Sequence, residues 1–153
     1  MSFELNTKRN VLNNYGPRTT DQKFGGTTSD DVIKTAAWSF DYNDLPASGA
    51  TNLQNVIPAN ARVLEALLEV ITPFNASLTV GLETSAGVAI DADGLIAAAQ
   101  ASAAAAAVGG AVITGTGALI KKTVGTSAGE LVVATTSTAG RGRVLVRYIL
   151  AGV

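Results

Sequence analysis

The sequence predicts an all-β protein: a jelly-roll-like β-sandwich with an extended N-terminal arm and a short alanine-rich helical or loop insertion. Roughly eight or nine short segments alternate apolar and polar residues between turns at nearly regular spacing, a pattern typical of sandwiches and barrels. Hydrophobic residues make up 47% of the chain but aromatic residues only 5%. A core of small and branched side chains favours packed sheets over a helical bundle. The 153 residues suffice for one such core.

The clearest predicted strand is Ser77–Glu83, whose apolar residues occupy every second position: Leu78, Val80 and Leu82. This alternation predicts one buried and one solvated face. Pro73–Ala76 precedes the strand and is typical of a turn, because Pro lacks a ladder donor and Asn tolerates a left-handed backbone. The segment before the turn, Arg62–Thr72, is therefore predicted to be the partner strand of a hairpin.

The segment Arg62–Thr72 has one wholly apolar set of alternate positions, which we expect to face the core: Leu64, Ala66, Leu68 and Val70. The other face is half solvated and carries Glu65 and Glu69 beside apolar residues. A helix is the alternative for Val63–Ile71, since glutamates four residues apart and several Leu and Ala also suit a helix. A proline on each side of the segment favours the strand.

An aromatic strand is predicted over Val32–Tyr42, with Trp38, Phe40 and Tyr42 on one face. Aromatic residues at strand spacing usually pack in a core, and we expect that here. A strip that stacks on carbohydrate is the alternative. A short strand at Leu53–Ile57 follows a polar loop.

The C-terminal third returns to strand patterns. Ala111–Thr114 and Ala118–Val124 are predicted to form a hairpin around a glycine turn, and Leu131–Thr136 to form a β-branched strand. A last strand runs almost to the end of the sequence. Its inward residues are predicted to be Val144, Val146, Tyr148 and Leu150.

Three arginines, Arg141, Arg143 and Arg147, lie along one edge or face of that last strand. Solvated charges of this kind discourage pairing between exposed strand edges. The other interpretation is that the guanidinium groups bind acidic groups of a neighbouring subunit. On that interpretation the three arginines are candidate contact residues.

An acidic segment, Asp91–Gly94, does not match a calcium loop, because Leu95 takes the next ligand position and no Glu closes the loop. We expect Asp91 or Asp93 to cap a helix or close a turn. Leu95–Val108 is alanine-rich and uncharged, which predicts a helix over at least part of it. A membrane span is the weaker alternative, since Leu and Phe are scarce there.

Residues 1–31 are predicted to form an extended arm and residues 32–153 the sandwich domain. Apolar residues in the arm are sparse and aperiodic, so the arm cannot bury enough surface to order itself. It either docks on another surface or is a frayed terminus. Basic residues outnumber acidic ones ahead of Asp30, which favours an acidic partner surface. Its candidate contact residues are Phe3, Leu5, Lys8, Arg9, Val11, Leu12, Tyr15, Arg18 and Phe24.

Composition argues against several classes of function. The formal net charge is −1, whereas nucleic-acid binding needs a basic surface that neutralises phosphates. The chain has no Cys and no His, so disulfides, thiolate metal sites and the commonest general base are all missing. We predict no catalytic residues, no cofactor and no metal site. The N-terminal sequence lacks the apolar core of a secretory signal, which predicts synthesis in the cytoplasm.

An enzyme remains an alternative class, as a glycosidase that draws its two carboxylates from Glu65, Glu69, Asp91 and Asp93. On one face of a strand, Glu65 and Glu69 are expected to lie about 13 Å apart. That separation is too large for either standard glycosidase geometry. Nothing near Asp91 and Asp93 in the sequence would tune a pair of carboxylates. We therefore expect the protein not to be an enzyme.

Five sequence segments carry a resemblance to one group of proteins: Asn13–Arg18, Ile57–Val63, Leu78–Leu82, Ile90–Ile96 and Ala139–Val146. Together they resemble the small virion proteins of tailed bacteriophages. Within that group the chain is most similar to capsid decoration, or cement, proteins. The resemblance covers most of the chain and includes no catalytic motif.

The resemblance implies a β-sandwich on the outer surface of a virion capsid, made in the host cytoplasm and assembled as a trimer or a dimer. The implied partners are the major capsid protein, whose adjacent copies the arm would clamp, and further copies of this chain, with no nucleic acid and no membrane. The alternative is a head-fibre, tail or receptor-binding module, in which the three aromatic residues would stack on a host surface glycan.

Overall fold

The computed structural model describes residues 4–7, 10–13, 33–45, 56–97 and 106–150. The chain divides into two units, one of Met1–Ile33 with Gly152–Val153 and the other of Lys34–Ala151. Every regular element within the described ranges is a β-strand. The predicted all-β class and the predicted sandwich are confirmed.

The N-terminal unit contains an antiparallel hairpin of two strands, β1 (Glu4–Thr7) and β2 (Asn10–Asn13). Leu5 lies opposite Leu12 in the register of this hairpin. This hairpin was not predicted from the sequence, which indicated only an extended arm.

The second unit folds into two antiparallel sheets. The larger sheet has the strand order β3-β9-β4-β7, and the smaller sheet has the order β6-β5-β8. The seven strands are β3 (Lys34–Asp41), β4 (Ala61–Thr72), β5 (Leu78–Glu83), β6 (Ala89–Ile96), β7 (Ala111–Thr114), β8 (Glu130–Thr135) and β9 (Arg141–Leu150). The strands predicted at the positions of β3, β4, β5, β7, β8 and β9 are confirmed.

The strand order is that of a jelly roll, in which the chain passes repeatedly from one sheet to the other. It crosses between the sheets from β4 to β5 and again from β8 to β9. An isolated antiparallel bridge between Ile57 and Gly129 places the chain just before β4 beside the start of β8. This bridge occupies the position of a fourth strand in the smaller sheet. Residues 51–55 lie outside the described residues.

The predicted hairpin of β4 and β5 is wrong, because the two strands belong to different sheets. β4 pairs with β7 and β9, whereas β5 pairs with β6 and β8. The connection between them passes from one sheet to the other. Phe74 lies in this connection, is buried, and stacks on Phe40 of β3 with ring centroids 5.9 Å apart. Asn75 Oδ1 accepts hydrogen bonds from the Ser137 hydroxyl and the Thr138 amide. These bonds join the β4–β5 crossing to the β8–β9 crossing.

β4 is a strand throughout, so the helical alternative for its central residues is wrong. Its register against β9 shifts between Val63 and Glu65, which is the mark of a β-bulge with one extra residue. The prediction that Leu64 faces the core is wrong for this reason, since Leu64 is only half-buried. The fully buried residues of β4 are Ala61, Val63, Ala66, Leu68 and Val70.

One hydrophobic core fills the space between the two sheets. The larger sheet contributes Trp38 and Phe40, which are buried, as predicted for aromatic residues at strand spacing. Tyr42 lies in the turn after β3 and is half-buried. The smaller sheet contributes Leu78, Val80, Leu82, Leu95, Ile96, Leu131 and Val133. Because Trp38 and Phe40 are buried, they are not available for the carbohydrate strip.

The acidic segment Asp91–Gly94 lies inside β6, so the predicted helix cap is wrong. The predicted turn has a counterpart within the strand, because Asp91 Oδ1 accepts a hydrogen bond from the Asp93 amide at 3.4 Å. The β5–β6 register shifts twice, and the additional residues of β6 bulge across the outer side of β5. Leu95 and Ile96 are fully buried strand residues, and Ala106–Gly110 contains no helical residue. The two ends of the alanine-rich segment are thus not helical. Residues 98–105 lie outside the described residues.

The predicted hairpin of Ala111–Thr114 with Ala118–Val124 is also wrong. β7 pairs with Leu67–Val70 of β4. The later segment forms turns that hydrogen-bond along the same side of β4, as where the Lys121 amide donates to the Val63 carbonyl at 2.8 Å. Lys121 has a φ of 66°, in the left-handed region, which interrupts any extended run at this point.

β9 lies between β3 and β4, so it is a central strand of the larger sheet. Val144, Val146 and Tyr148 face the core, as predicted. Leu150, which was also predicted to face inward, is 36% exposed at the end of the strand.

Burial raises the pKa of Tyr148 above its ordinary value, since burial disfavours the charged phenolate. A raised folded-state pKa gives stability that is full below the unfolded-state pKa of about 10 and is lost as the pH rises through the folded-state value. Between about pH 9 and pH 11, the free energy of unfolding should therefore fall less steeply for Tyr148→Phe than for the wild type. Urea titrations across that range measure the two slopes, and equal slopes would contradict the assignment.

Candidate interaction surface

The solvent face of the larger sheet carries most of the charge on β4 and β9. Side chains that face each other across two paired strands point to the same side of the sheet. Three such pairs follow one another along the strands: Glu65 opposite Arg147, Leu67 opposite Leu145, and Glu69 opposite Arg143. We call these six residues the charged face. On the other side of β9, the neighbouring strand β3 adds one small residue to each of the three pairs: Thr35 beside Arg147, Ala37 beside Leu145 and Ser39 beside Arg143.

Both outer rows of the charged face are ion pairs within one chain. Arg147 Nη1 donates a hydrogen bond to Glu65 Oε2 at 3.2 Å, and Arg143 Nε lies 3.8 Å from Glu69 Oε2. The four side chains are 36–48% exposed. Exposed pairs of this kind contribute only about 0–1 kcal/mol to stability. Their larger effect is to hold four charges at defined positions on the surface.

The three arginines do not protect a sheet edge, because β9 is a central strand. Arg141 occupies the next outward position along β9, opposite Asp41 of β3 and Thr72 of β4. The interpretation that these arginines discourage edge pairing is therefore wrong. Arg143 and Arg147 instead bind glutamates of their own chain while keeping nearly half of each side chain exposed.

An apolar row separates the two ion pairs. Leu67 and Leu145 are half-buried at its centre, and Ala37 continues it onto β3. An apolar centre between charged groups is the usual layout of a surface that contacts another protein. The sequence placed these positions on strand exteriors, but not beside one another.

A recess of about 600 Å³ opens beside the Glu65–Arg147 row. Arg147 and Lys121 give the lining of the recess two cationic groups, of which Arg147 is bound to the Glu65 carboxylate. Glu69, Asp91 and Asp93 are not among the residues that line it, which are Leu64, Glu65, Thr114, Gly115, Thr116, Gly117, Ile120, Lys121 and Arg147. The structure therefore does not gather the four candidate carboxylates in one cleft.

Two further findings concern only the described ranges. They contain no group of three or more metal-ligating side chains of the Asp, Glu, His or Cys type. They also contain no helix of the length and apolar character that a membrane crossing requires.

A second acidic feature lies on the smaller sheet, where Glu83 of β5 is directly opposite Glu130 of β8. Both residues are buried, at 4% and 5% exposure. Glu130 Oε2 is buried and has no hydrogen-bond partner among the residues that the structure describes. Like groups facing each other across a strand pair are destabilising, and an unsatisfied buried oxygen adds to this cost. The prediction that Glu83 lies on a solvated face is wrong.

Glu130→Gln is expected to raise the free energy of unfolding by about 1 kcal/mol, because a neutral amide removes one of two facing acidic groups and can donate a hydrogen bond. Chemical denaturation at neutral pH measures the change. Glu69→Gln, at an exposed ion pair, is the matched control and should change stability by less than about 0.5 kcal/mol. A clear loss of stability in the Glu130 variant would show that its carboxylate is stabilising.

The structure places the predicted contact residues in two groups. Arg143 and Arg147 belong to the charged face, with Arg141 next to it. Leu5, Val11 and Leu12 lie in the hairpin of the N-terminal unit. The remaining six lie outside the described residues: Phe3, Lys8, Arg9, Tyr15, Arg18 and Phe24.

Sequence reasoning did not include the other members of the charged face among the contact residues. Glu65, Leu67, Glu69 and Leu145 alternate with core residues on their strands, which is a visible signal of an outward position. Only the register of β4 against β9 shows that the two sets meet.

Comparison with known proteins adds one finding on the fold. No family model and no curated protein sequence matches the chain. The fold is similar to that of a chain in a solved structure described as "Cyanophage Pam1 capsid asymmetric unit", with a TM-score of 0.53 and 22% sequence identity. The superposition covers 96% of this chain and 98% of that chain. The two chains therefore share a fold over almost their whole lengths.

Proposed function

We propose that this chain is a structural protein of a tailed-bacteriophage virion, which binds the outside of the assembled capsid and stabilises contacts between subunits of the major capsid protein. The observation that carries the proposal is the fold shared with a chain of a cyanophage capsid asymmetric unit. The resemblance of several sequence segments to phage decoration proteins supports the same role.

The mutual coverage of the two chains strengthens this argument. Because the superposition includes nearly all of both chains, the two have almost the same length. The likeness thus extends over nearly all of one chain of that capsid structure.

The chemistry of the surface is consistent with a binding role that involves no catalysis. The candidate carboxylates are either bound to arginine, as Glu65 and Glu69 are, or located on the other sheet, as Asp91 and Asp93 are. The aromatic side chains of β3 are in the core. These placements favour a structural protein over a glycosidase or a glycan-binding module.

Stabilisation of the shell follows from mass action. A protein that binds the assembled lattice and not the separated subunits shifts the equilibrium toward the lattice by its binding free energy. Packaged DNA pushes the shell subunits apart, so each added contact between neighbouring subunits opposes that pressure. A sandwich with a single continuous core is a rigid body suited to bridging such a junction.

The N-terminal arm supplies the proposed grip on adjacent capsid subunits. A segment that becomes ordered on its partner has reduced affinity per contact, but it can span more than one subunit. Self-association, as a dimer or a trimer, would then multiply the contacts through a high effective concentration. The arm and the sandwich thus have separate tasks in the proposal.

The proposal is tested by adding purified protein to capsids of the encoding phage that lack it. Saturable cosedimentation with assembled capsids is expected, together with a higher temperature of DNA release. Unassembled major capsid protein, the matched control, should bind much more weakly. Failure to bind assembled capsids, or equal binding to unassembled subunits, would contradict the proposed role.

A further inference from the structure

We infer that the charged face is a two-fold interface between two copies of this chain. The face has an apolar centre, ordered ion pairs on both sides of it, and exposure at every member. A second copy is the favoured occupant because the charges of the face are complementary to themselves under one particular symmetry. The inference concerns self-association in solution and does not depend on attachment to a capsid.

The complementary symmetry follows from the strand order. All the glutamates of the face lie on β4 and all the arginines on β9, which are the two central strands of the larger sheet. Consider two such sheets face to face, related by a two-fold axis that runs parallel to the strands between β4 and β9. Equivalent residues of the two copies then lie at the same level along the strand direction. β4 of one copy lies over β9 of the other.

This arrangement brings each charge against an opposite one. Glu65 of one copy faces Arg147 of its partner copy, and Glu69 faces Arg143. Since Glu65–Arg147 is also a pair within each chain, the four groups at that level form a closed ring in which every charge has two opposite neighbours. A second ring forms at the level of Glu69. Between the rings, Leu67 of each copy packs on Leu145 of the other.

Other two-fold arrangements of the same face are unfavourable. An axis perpendicular to the strands places β4 over β4 and brings Glu65 against Glu69. An axis centred on β9 alone places arginines over arginines. Like charges across an interface cost several kcal/mol. The favourable axis is also the one that overlaps all four strands, because it passes through the middle of the sheet.

The outer strands fit this arrangement by size. β3 of one copy lies over β7 of the other, so the small residues Ala37 and Ser39 face Thr114 and Val112. Val112 is 59% exposed in the single chain and would be covered. β4 and β9 overlap over about ten residues and β3 and β7 over four, which at about 3.3 Å per residue and 4.8 Å between strands gives an overlap of roughly 450 Å² per copy. That area is small for a specific interface and predicts a weak dimer that forms at high protein concentration.

A charge-swapped variant tests the interface without losing the pairs within each chain. It carries Glu65→Arg, Glu69→Arg, Arg143→Glu and Arg147→Glu together. The variant should fold and self-associate as the wild type does, because exchanging both signs preserves every contact. A mixed dimer of wild type and variant, in contrast, has like charges at all four cross-copy positions.

Full-length wild type labelled with ¹⁵N and unlabelled variant are mixed, equilibrated and examined by native mass spectrometry, because the two chains have the same composition and would otherwise have the same mass. We expect both homodimers, with mixed dimers at least about tenfold below their random-mixing proportion. A matched control variant with Ala134→Asp, on the outer side of the smaller sheet, should mix with the wild type at random. Monomers at all concentrations, or random mixing of the charge-swapped variant, would overturn the inference. Neither outcome bears on capsid binding, which the cosedimentation assay reports separately.

Discussion

Gly81→Ala is expected to cost about 3 kcal/mol or more of unfolding free energy, a large share of the stability of a domain of this size. Gly81 lies in the middle of β5, opposite Val132 of β8. The bulged part of β6 passes so close over it that an added Cβ would overlap the Asp91 carbonyl oxygen and the backbone of Ala92. These are backbone atoms of a paired strand. They cannot move aside without breaking the β5–β6 ladder.

Gly125→Ala separates this crowding from the ordinary cost of replacing glycine. Gly125 has a φ of 100°, but no atom lies within 4 Å of where its Cβ would be. Its replacement should therefore cost only the backbone strain, about 1–2 kcal/mol. Equilibrium denaturation of both variants gives the comparison. A Gly81 variant as stable as the Gly125 variant would mean that β6 does not pack on β5 as described.

Deletion of residues 1–31 is expected to lower capsid affinity by about hundredfold or more while leaving the sandwich folded. The core residues that the structure describes lie between Ala36 and Tyr148, and the deletion removes none of these. The loss arises because the arm would add its contacts at the high effective concentration that a tether provides. Cosedimentation with capsids at increasing protein concentration measures both affinities.

The folded state of the shortened chain has its own check. Its thermal unfolding and far-ultraviolet circular dichroism should show the same cooperative β-sheet transition as the full chain. Equal capsid affinity for the two forms would remove the arm from the mechanism and leave the sandwich surface as the sole contact.

Alternation in the sequence was a good guide to which residues face the core. The pattern of Leu78, Val80 and Leu82 correctly gave the inner face of β5, and the pattern of Val144 and Val146 gave that of β9. Alternation is a local property of side-chain direction, so it could not show which strands pair. The connection of β4 and β5 reads as a hairpin turn until Phe74 is seen buried between the sheets.

Bulges account for most of the other differences. One extra residue near Leu64 changes which side chains at the start of β4 point to the core. In an apolar run, a single extra residue leaves no clear signal in the sequence. The bulge of β6 covers the side of β5 that carries Gly81 and Glu83, which the alternation marked as solvated. Local patterns therefore failed where another strand covers the face that they mark as solvated.

The candidate surface was only half predictable for a similar reason. Arg143 and Arg147 were recognised as outward-facing contact residues, and Glu65 and Glu69 as members of a half-solvated face. Their meeting depends on the register of strands that are far apart in the sequence. The N-terminal hairpin was missed because its pairing is local but its apolar residues follow no period.

The most direct test of the proposed role is an image of the protein on its capsid. Capsids that lack the protein are saturated with the purified chain and examined by cryo-electron microscopy. The account predicts added density on the outer surface, at regular positions over junctions between major capsid protein subunits, into which the β3–β9 sandwich can be fitted. Density inside the shell, on the tail alone, or at no regular position would contradict it.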